Sequence, residues 1–229
     1  MLSEDTLYGA AFMIQALICD FDGLLVDTET PAFESWRVIY AEHGHDLSLD
    51  LYQHALGTSH GFDPLAHLEG LIGRPLDRAA ALAHRRAVKS ALSGEQPLLP
   101  GALGLLDQAD ALGLPCAVAS SSDRAWVEGW LARLAIRQRF ACVRTADDVA
   151  RTKPAPDLFL SAADCLGVAP AACLVFEDSP NGILAAGAAG MRCCVVPGAL
   201  TGRLALPSGD IVLPALDALP LAELLARWA

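Results

Sequence analysis

The chain has 229 residues and a formal net charge of −11, and hydrophobic residues make up 53% of it. This length and apolar content allow one large domain, or a domain with a smaller insertion. Arginines are scattered and form no basic stripe, so neither nucleic-acid binding nor binding to an anionic membrane surface is expected. No uninterrupted apolar run is long enough to span a bilayer.

The cysteines and the N-terminal residues predict a cytoplasmic protein. The seven cysteines are odd in number and include no CxxC pair, which favours reduced thiols over a disulfide framework. The apolar segment 7–19 follows Glu4 and Asp5 with no positively charged region before it, which argues against a signal peptide. Met13 directly precedes the first predicted strand, so Met1 and Met13 are alternative starts.

The first predicted strand covers residues 16–19 and ends at two carboxylates, Asp20 and Asp22. An apolar run of this length, bounded by turn residues, is typical of a buried parallel strand. Residues at i and i+2 of a strand project from the same face, so the two carboxylates lie side by side. Gly23 then allows a sharp turn. Two like charges this close, next to apolar residues, are costly unless a cation or a proton offsets them.

A helical block follows, and no strand pattern appears in it before residue 93. Residues 28–31 carry hydroxyl caps and a proline suited to the first turn of a helix. Residues 94–101, with two prolines, are predicted to be the linker that returns to the sheet. The predicted helices of the block cover residues 32–43, 47–56, 62–71 and 76–92.

From residue 102 onward, helices alternate with strands, which implies a parallel sheet with helices on both faces and an α/β fold. Ligands of such sheets bind beyond the carboxyl ends of the strands. Polar clusters that follow different strands should therefore converge in space. The predicted strands cover residues 115–119, 141–145, 173–176, 191–196 and 211–213, and the predicted helices cover residues 102–112, 124–134, 155–166, 179–189 and 216–228.

Four polar clusters are expected to converge. They are Asp20 with Asp22, Ser120 with Ser121 and Ser122, Lys153, and Glu177 with Asp178. Several carboxylates around one point, with few neutralising groups, indicate a hard divalent cation, and oxygen ligands favour Mg²⁺. Taken alone, the serines and the Glu177–Asp178 pair could simply cap helices, and Lys153 could be an exposed loop lysine. All of these features together, in this order, favour a functional site.

The same residue types suit a phosphate group. The cation and Lys153 can spread over its oxygens, while the hydroxyl and backbone N–H groups of Ser120 and Ser121 donate hydrogen bonds. An aspartate can attack phosphorus and form an aspartyl-phosphate. A second carboxyl can protonate the leaving oxygen and later deprotonate the attacking water.

Four sequence motifs resemble those of the haloacid-dehalogenase-type phosphohydrolase superfamily, in the subgroup with a helical cap inserted after the first motif. The resemblance covers nearly all of residues 14–200. The motifs are Asp20-Phe-Asp22-Gly-Leu-Leu-Val-Asp27-Thr28, Ala119-Ser120-Ser121-Ser122, Lys153-Pro-Ala-Pro-Asp157 and Phe176-Glu177-Asp178-Ser-Pro-Asn-Gly182.

The resemblance implies a role for each motif. Asp20 would be the nucleophile and Asp22 the acid/base. Mg²⁺ would be held by the Asp20 carboxylate, the Asp22 backbone carbonyl and Asp178, with Glu177 in or just outside the set of ligands. Ser120 and Lys153 would hold the phosphoryl oxygens.

The resemblance also implies the domain organisation. Residues 1–30 and 95–229 would form a Rossmann-like catalytic core, and residues 31–94 a helical cap. The cap loop 57–61 lies where this family places a substrate-specificity loop, so Gly57 and His60 are candidate substrate contacts. An ordinary surface-loop histidine is the alternative for His60.

Phosphatase activity on a small phosphorylated metabolite is the favoured function, and we expect a monomer. Beta-phosphoglucomutases share this architecture, but they carry histidine at the position of Ala32 and arginine at that of His60. Dehalogenases usually lack the second aspartate that is present here as Asp22. The alternatives are a sugar-phosphate mutase and a catalytically silent binding module.

Other conspicuous side chains are interpreted structurally. Trp36, Trp126 and Trp130 fall at helix spacings that suit packing in the cap or the core. A solvated helix face is the favoured interpretation of Arg74, Arg85 and Arg86, with contact to a distal anion of the substrate as the alternative.

Overall fold

The computed structural model describes residues 14–56, 62–94 and 96–229. Three earlier expectations therefore lie outside the described residues: the alternative start at Met13 and the candidate substrate contacts Gly57 and His60. In the part of the chain that the structure describes, no helix is long and apolar enough to cross a bilayer.

A six-stranded, wholly parallel sheet forms the centre of the molecule, with the strand order β3-β2-β1-β4-β5-β6. The α/β class predicted from the alternating pattern is confirmed. The strands are β1 (Ala16–Cys19), β2 (Cys116–Ala119), β3 (Cys142–Arg144), β4 (Cys173–Glu177), β5 (Arg192–Val195) and β6 (Ile211–Val212).

The central strand β1 sets the position of the site. Ile18 lies opposite Ala117 of β2 on one side and opposite Val175 of β4 on the other. The chain adds β2 and β3 on one side of β1, then crosses over and adds β4, β5 and β6 on the other. The strand order thus reverses beside β1, and in open α/β sheets the crevice at such a switch point is where ligands bind.

Helices cover both faces of the sheet. The helices α5, α6 and α9 bury their apolar residues against one face, and α7 and α8 bury theirs against the other. These helices are α5 (Ala102–Ala111), α6 (Arg124–Arg133), α7 (Asp157–Leu166), α8 (Pro180–Ala188) and α9 (Leu221–Leu225).

The remaining helices pack around a separate hydrophobic cluster, which includes Trp36, Tyr40 and Leu65 and is joined by Leu200 from the segment after β5. The two connections to the sheet run side by side, because Val26 bridges Leu98. This arrangement fits the predicted cap, although the division at residues 31–94 stays a prediction. The helices are α1 (Glu29–Glu42), α2 (Leu49–Tyr52), α3 (Pro64–Ile72) and α4 (Arg78–Ser93).

Two sequence-based expectations about the fold were wrong. The structure joins Cys142 of β3 to Cys165 of α7 in a disulfide, whereas reduced thiols alone were expected. No spacing in the sequence signals this pair, because only the packing of α7 on β3 brings the two cysteines together. The last helix begins at Leu221 rather than at residue 216. Pro220, which lacks an N–H and cannot lie inside a helix, sets that boundary.

Candidate active site

The polar clusters predicted to converge do so at the carboxyl end of the sheet. Asp20 and Asp22 follow β1, Ser120 follows β2, and Asp178 follows β4. Together with Lys153 they line one cavity of about 380 Å³. Parallel strands that end at the same edge account for this convergence of residues far apart in the sequence.

Lys153 is buried at the centre of the cluster, in the loop before α7. Its Nζ donates hydrogen bonds to Asp20 Oδ1 and, at 2.6 Å, to Glu177 Oε1. Burial alone would lower the pKa of Lys153, but the charges of Asp20 and Glu177 outweigh it and raise this pKa. Lys153 is therefore a charged ammonium placed directly against the predicted nucleophile.

Two of the carboxyl groups are poorly compensated. Burial raises the pKa of Asp20 to about 8; Lys153 acts against this shift, while Glu177 and Asp22 add to it. Burial also raises the pKa of Asp178 well above its usual range, and the charges of Glu177 and Asp20 reinforce the effect. One lysine thus does not neutralise the carboxyl groups of the cluster, and a bound cation would offset the remaining negative charge.

The donor set fits a divalent cation. Asp20, Glu177 and Asp178 each offer a carboxylate oxygen, and these oxygens lie within 4.8 Å of one another. Asp178 Oδ2 accepts a hydrogen bond from Thr201 Oγ1 at 2.9 Å, but the buried Asp178 Oδ1 has no partner among the described residues. A buried carboxylate oxygen left without a partner is costly, and a bound Mg²⁺ would satisfy it.

Glu177 and Gly23 shape this donor set. Glu177 Oε2 accepts hydrogen bonds from the backbone N–H and the hydroxyl of Ser179, at 2.8 and 2.9 Å. With Lys153 on its other oxygen, Glu177 already has partners on both oxygens. Gly23 has a φ of +88°, and a Cβ there would overlap Asp178 Oδ2. Glycine at this turn therefore gives the Asp178 carboxylate its place.

Asp22 accepts hydrogen bonds from four side chains of the described residues. Thr28 Oγ1 and Trp126 Nε1 donate to Oδ1, at 2.8 and 2.9 Å. Ser120 Oγ and Ser122 Oγ donate to Oδ2, at 3.1 and 2.7 Å. Ser120 Oγ also accepts from the backbone N–H of Ser122, at 3.0 Å. The carboxylate is thus held in one orientation by groups from the turn after β2, from α6 and from the residue before α1.

Sequence reasoning missed the role of Trp126. It was predicted to serve in packing, yet its indole donates to Asp22. One signal was present: Asp123 caps α6 by accepting from the backbone N–H of Trp126, so Trp126 lies in the first turn of the helix that follows β2. A tryptophan in that turn lies near the carboxyl end of the strand and carries a polar N–H.

The described part of the cap also contributes to the cavity. Glu29 of α1 and Lys89 of α4 line it beside the predicted site residues, and neither was singled out from the sequence. Ser121, predicted to bind phosphate, is exposed and lines the same cavity. Burial raises the pKa of Glu29, and the charge of Asp22 adds to that shift. Among the described residues, α1 and α4 therefore give the cavity one acidic and one basic side chain.

Arg85 does not lie on a solvated helix face. It is half-buried, its Nε donates to Ser35 Oγ at 3.0 Å, and its guanidinium lies 5.1 Å from the centre of the Trp36 ring. Arg85 therefore packs between α4 and α1 inside the cap. Arg74 and Arg86 are exposed, as expected.

Comparison with known proteins identifies the family. The family model of haloacid dehalogenase-like hydrolases matches residues 14–190. YhcW of Bacillus subtilis, which is named as a phosphatase, is 43% identical over 213 residues, which are 93% of this chain and 97% of YhcW. Fructose-1-phosphate phosphatase YqaB of Escherichia coli is 38% identical over 178 residues, 76% of this chain and 92% of YqaB.

A solved structure shows the same fold. The crystal structure of a CbbY mutant from Rhodobacter sphaeroides, in complex with xylulose-(1,5)bisphosphate, has a TM-score of 0.72 at 28% identity. The match covers 89% of this chain and 95% of CbbY. The family match, the close relatives and the shared fold agree, and the chain belongs to the haloacid dehalogenase-like hydrolases.

Proposed function

We propose that the chain is a Mg²⁺-dependent phosphatase that hydrolyses a small phosphorylated metabolite through an aspartyl-phosphate on Asp20. The observation that carries this proposal is the buried Asp20 carboxylate, held by Lys153 next to the partnerless oxygen of Asp178. Relatives named as phosphatases support it. YqaB is named for fructose 1-phosphate and CbbY was crystallised with a sugar bisphosphate, so a phosphorylated sugar is the substrate class to test first.

The proposed reaction has two steps. In the first, a carboxylate oxygen of Asp20 bonds to phosphorus, the bond between phosphorus and the ester oxygen breaks, and Asp22 gives that oxygen a proton. In the second, Asp22 takes a proton from water, the water oxygen bonds to phosphorus, and the bond from phosphorus to Asp20 breaks. Inorganic phosphate leaves, and both carboxyl groups return to their starting states.

The other site residues bind and orient. Lys153, Ser120 and Ser121 would hold the phosphoryl oxygens, and the Lys153 charge keeps Asp20 in place. The Asp20 carboxylate, the Asp22 backbone carbonyl and Asp178 would hold Mg²⁺, with Glu177 beside them. When bound, Mg²⁺ supplies positive charge against the phosphoryl oxygens and the clustered carboxylates.

The cap would close over the substrate. Lys89 and Glu29 face the cavity from the cap side and are placed to contact the part of the substrate beyond its phosphate. Gly57 and His60 stay candidates for the same role. Closure would exclude bulk water during transfer to Asp20, and opening would admit water and release the product.

The test is a panel of phosphorylated metabolites assayed for free phosphate and for isomerised product, with Mg²⁺ and with EDTA. We expect free phosphate from at least one sugar phosphate, and only with Mg²⁺. Asp20→Asn should lower kcat by about a thousandfold or more, because it removes the nucleophile. Asp164→Asn, a matched change at an exposed position of α7, should keep full activity.

Three outcomes would contradict the proposal. Isomerised sugar phosphate as the main product would indicate a mutase. No turnover of the whole panel with Mg²⁺ would indicate a silent binding module. Full activity of the Asp20→Asn variant would remove the nucleophile assignment.

A further inference from the structure

The indole ring of Trp126 contacts both Lys89 of the cap helix α4 and the carboxylate of Asp22. Its Nε1 donates to Asp22 Oδ1 at 2.9 Å. Lys89 Nζ of α4 lies 4.7 Å from the ring centre, which is the distance of a cation–π contact. The Trp130 ring lies at 69° to it, with the two ring centres 5.7 Å apart. Contacts with Asp22 after β1, with Lys89 of α4 and with Trp130 of the same helix thus hold this ring in position.

Trp126 differs in chemistry from the other three partners of Asp22. Thr28, Ser120 and Ser122 present hydroxyl groups, which rotate and can donate or accept. An indole N–H can only donate. It therefore keeps Asp22 Oδ1 as an acceptor in every arrangement of the hydroxyls, and leaves Oδ2 as the oxygen that can exchange its partners for a substrate.

The contact with Lys89 links this orientation to the cap. Lys89 belongs to α4, whereas Trp126 belongs to α6 on the sheet. When the cap and the sheet are apposed as in this structure, the ammonium lies over the ring that holds Asp22. The position of one side chain is thereby determined jointly by the cap and by the core.

We propose that Trp126 is a positioning residue, which aims the Asp22 carboxyl at the leaving oxygen of the substrate. The inference rests on the proposed phosphatase activity. It assigns a specific role to the indole N–H: without it, only rotatable hydroxyl groups hold the Asp22 carboxyl, its orientation is less well defined, and proton transfer to the leaving group slows. Packing by the ring is a separate property, which phenylalanine would largely keep.

The test compares two leaving groups. An alkoxide needs a proton as it leaves, whereas p-nitrophenolate leaves as a stable anion, so only the first depends strongly on Asp22. We compare kcat/KM for the sugar phosphate that the panel shows to be hydrolysed fastest with kcat/KM for p-nitrophenyl phosphate. This constant covers only the steps up to the aspartyl-phosphate, so later hydrolysis does not enter it.

Trp126→Phe should lower the sugar-phosphate to p-nitrophenyl-phosphate ratio of kcat/KM by about tenfold or more, since misplacing a general acid costs one to two orders of magnitude. Trp228→Phe is the matched control. Trp228 is half-buried against the hydrophobic cluster of the core, and no hydrogen bond joins it to Asp22 among the described residues. That variant should leave the ratio unchanged.

An equal loss on both substrates, or no change in Trp126→Phe, would overturn the positioning role. If Trp126→Phe does not fold, the same ratio is measured in a variant that carries benzothienylalanine at position 126. This residue keeps the bicyclic ring and lacks only the N–H. A normal ratio in that variant overturns the proposal. If the wild-type protein releases phosphate from no ester, the phosphatase activity fails and the inference with it. If the wild-type protein hydrolyses both esters and the Trp126 variants keep the wild-type ratio of kcat/KM, the positioning role is overturned and the phosphatase activity stands.

Discussion

The buried carboxyl group of Asp178 lowers the stability of the metal-free fold. It is buried, with Oδ1 lacking a partner among the described residues, and its pKa is raised by burial and by the charges of Glu177 and Asp20. Asp20 has a pKa of about 8, against an ordinary 3.8. Well below pH 3.8 both groups are protonated in the folded and unfolded chains. As pH rises from about 4 to 8, the unfolded chain ionises first, so the metal-free fold loses stability over this range.

Asp178→Asn tests this cost directly. At pH 8 in EDTA we expect the variant to be more stable than the wild type by about 1–3 kcal/mol, because it removes a carboxyl group that the fold must either keep protonated or bury as a charge. This gain corresponds to a rise in Tm of about 2–4 °C for each kcal/mol in a chain of this size. Added Mg²⁺ should raise the Tm of the wild type and leave that of the variant nearly unchanged.

The measurement is the thermal unfolding temperature at pH 5 and pH 8, with EDTA and with Mg²⁺, and Asp164→Asn is the matched control. At pH 5 the advantage of the variant should shrink, because holding a carboxyl group with a raised pKa in its protonated form costs less free energy nearer to its ordinary pKa. A variant less stable than the wild type at pH 8 in EDTA would contradict the assignment of Asp178.

The junction of β4 and α8 shows how two elements hold one functional group. Ser179 Oγ donates to Glu177 Oε2 at 2.9 Å and accepts from the backbone N–H of Gly182 at 3.1 Å. A Cβ on Gly182 would overlap the Glu177 carboxyl group. The first turn of α8 therefore fixes Glu177, and Glu177 in turn fixes Lys153.

Gly182→Ala should disturb this junction. The added methyl group forces the Glu177 carboxyl away, which displaces Lys153 and lowers kcat by about 10- to 100-fold. Overpacking should also cost about 1–3 kcal/mol of stability. Gly187→Ala on the same helix is the control. A Cβ there meets nothing within 4 Å, so we expect normal activity. Because alanine favours the helix over glycine, the free energy of unfolding should rise by about 0.5–1 kcal/mol. Equal kcat values for the two variants would show that Glu177 does not position Lys153.

At the scale of the whole molecule, much of the fold could be predicted from the sequence. The apolar runs and helical periods predicted the parallel sheet, and the carboxyl-end rule predicted the convergence of Asp20, Asp178 and Lys153, because strand direction follows from local patterns. Contacts between distant elements could not be predicted in this way. Lys89 over Trp126 depends on how the cap lies against the core, and no local pattern encodes that arrangement.

The disulfide is a further contact of this kind, and it acts on the whole chain. Cys142 and Cys165 are 23 residues apart, and the bond joins an edge strand of the sheet to α7. Closing a loop of this size restricts the unfolded chain and stabilises the fold by about 3 kcal/mol in the loop-entropy account. The free energy of unfolding should therefore depend on the redox state of the solution.

We expect a reductant such as TCEP to lower the Tm of the wild type by about 6–12 °C, from that loop entropy and the size of the chain. Cys165→Ala should show the lower Tm with and without reductant. Cys173→Ala, a change at one of the buried free cysteines, should leave the response to reductant intact. Titration of the denatured, unreduced protein should find the five free thiols of Cys19, Cys116, Cys173, Cys193 and Cys194. If all seven cysteines react, the bond is absent, and the prediction of reduced thiols was right.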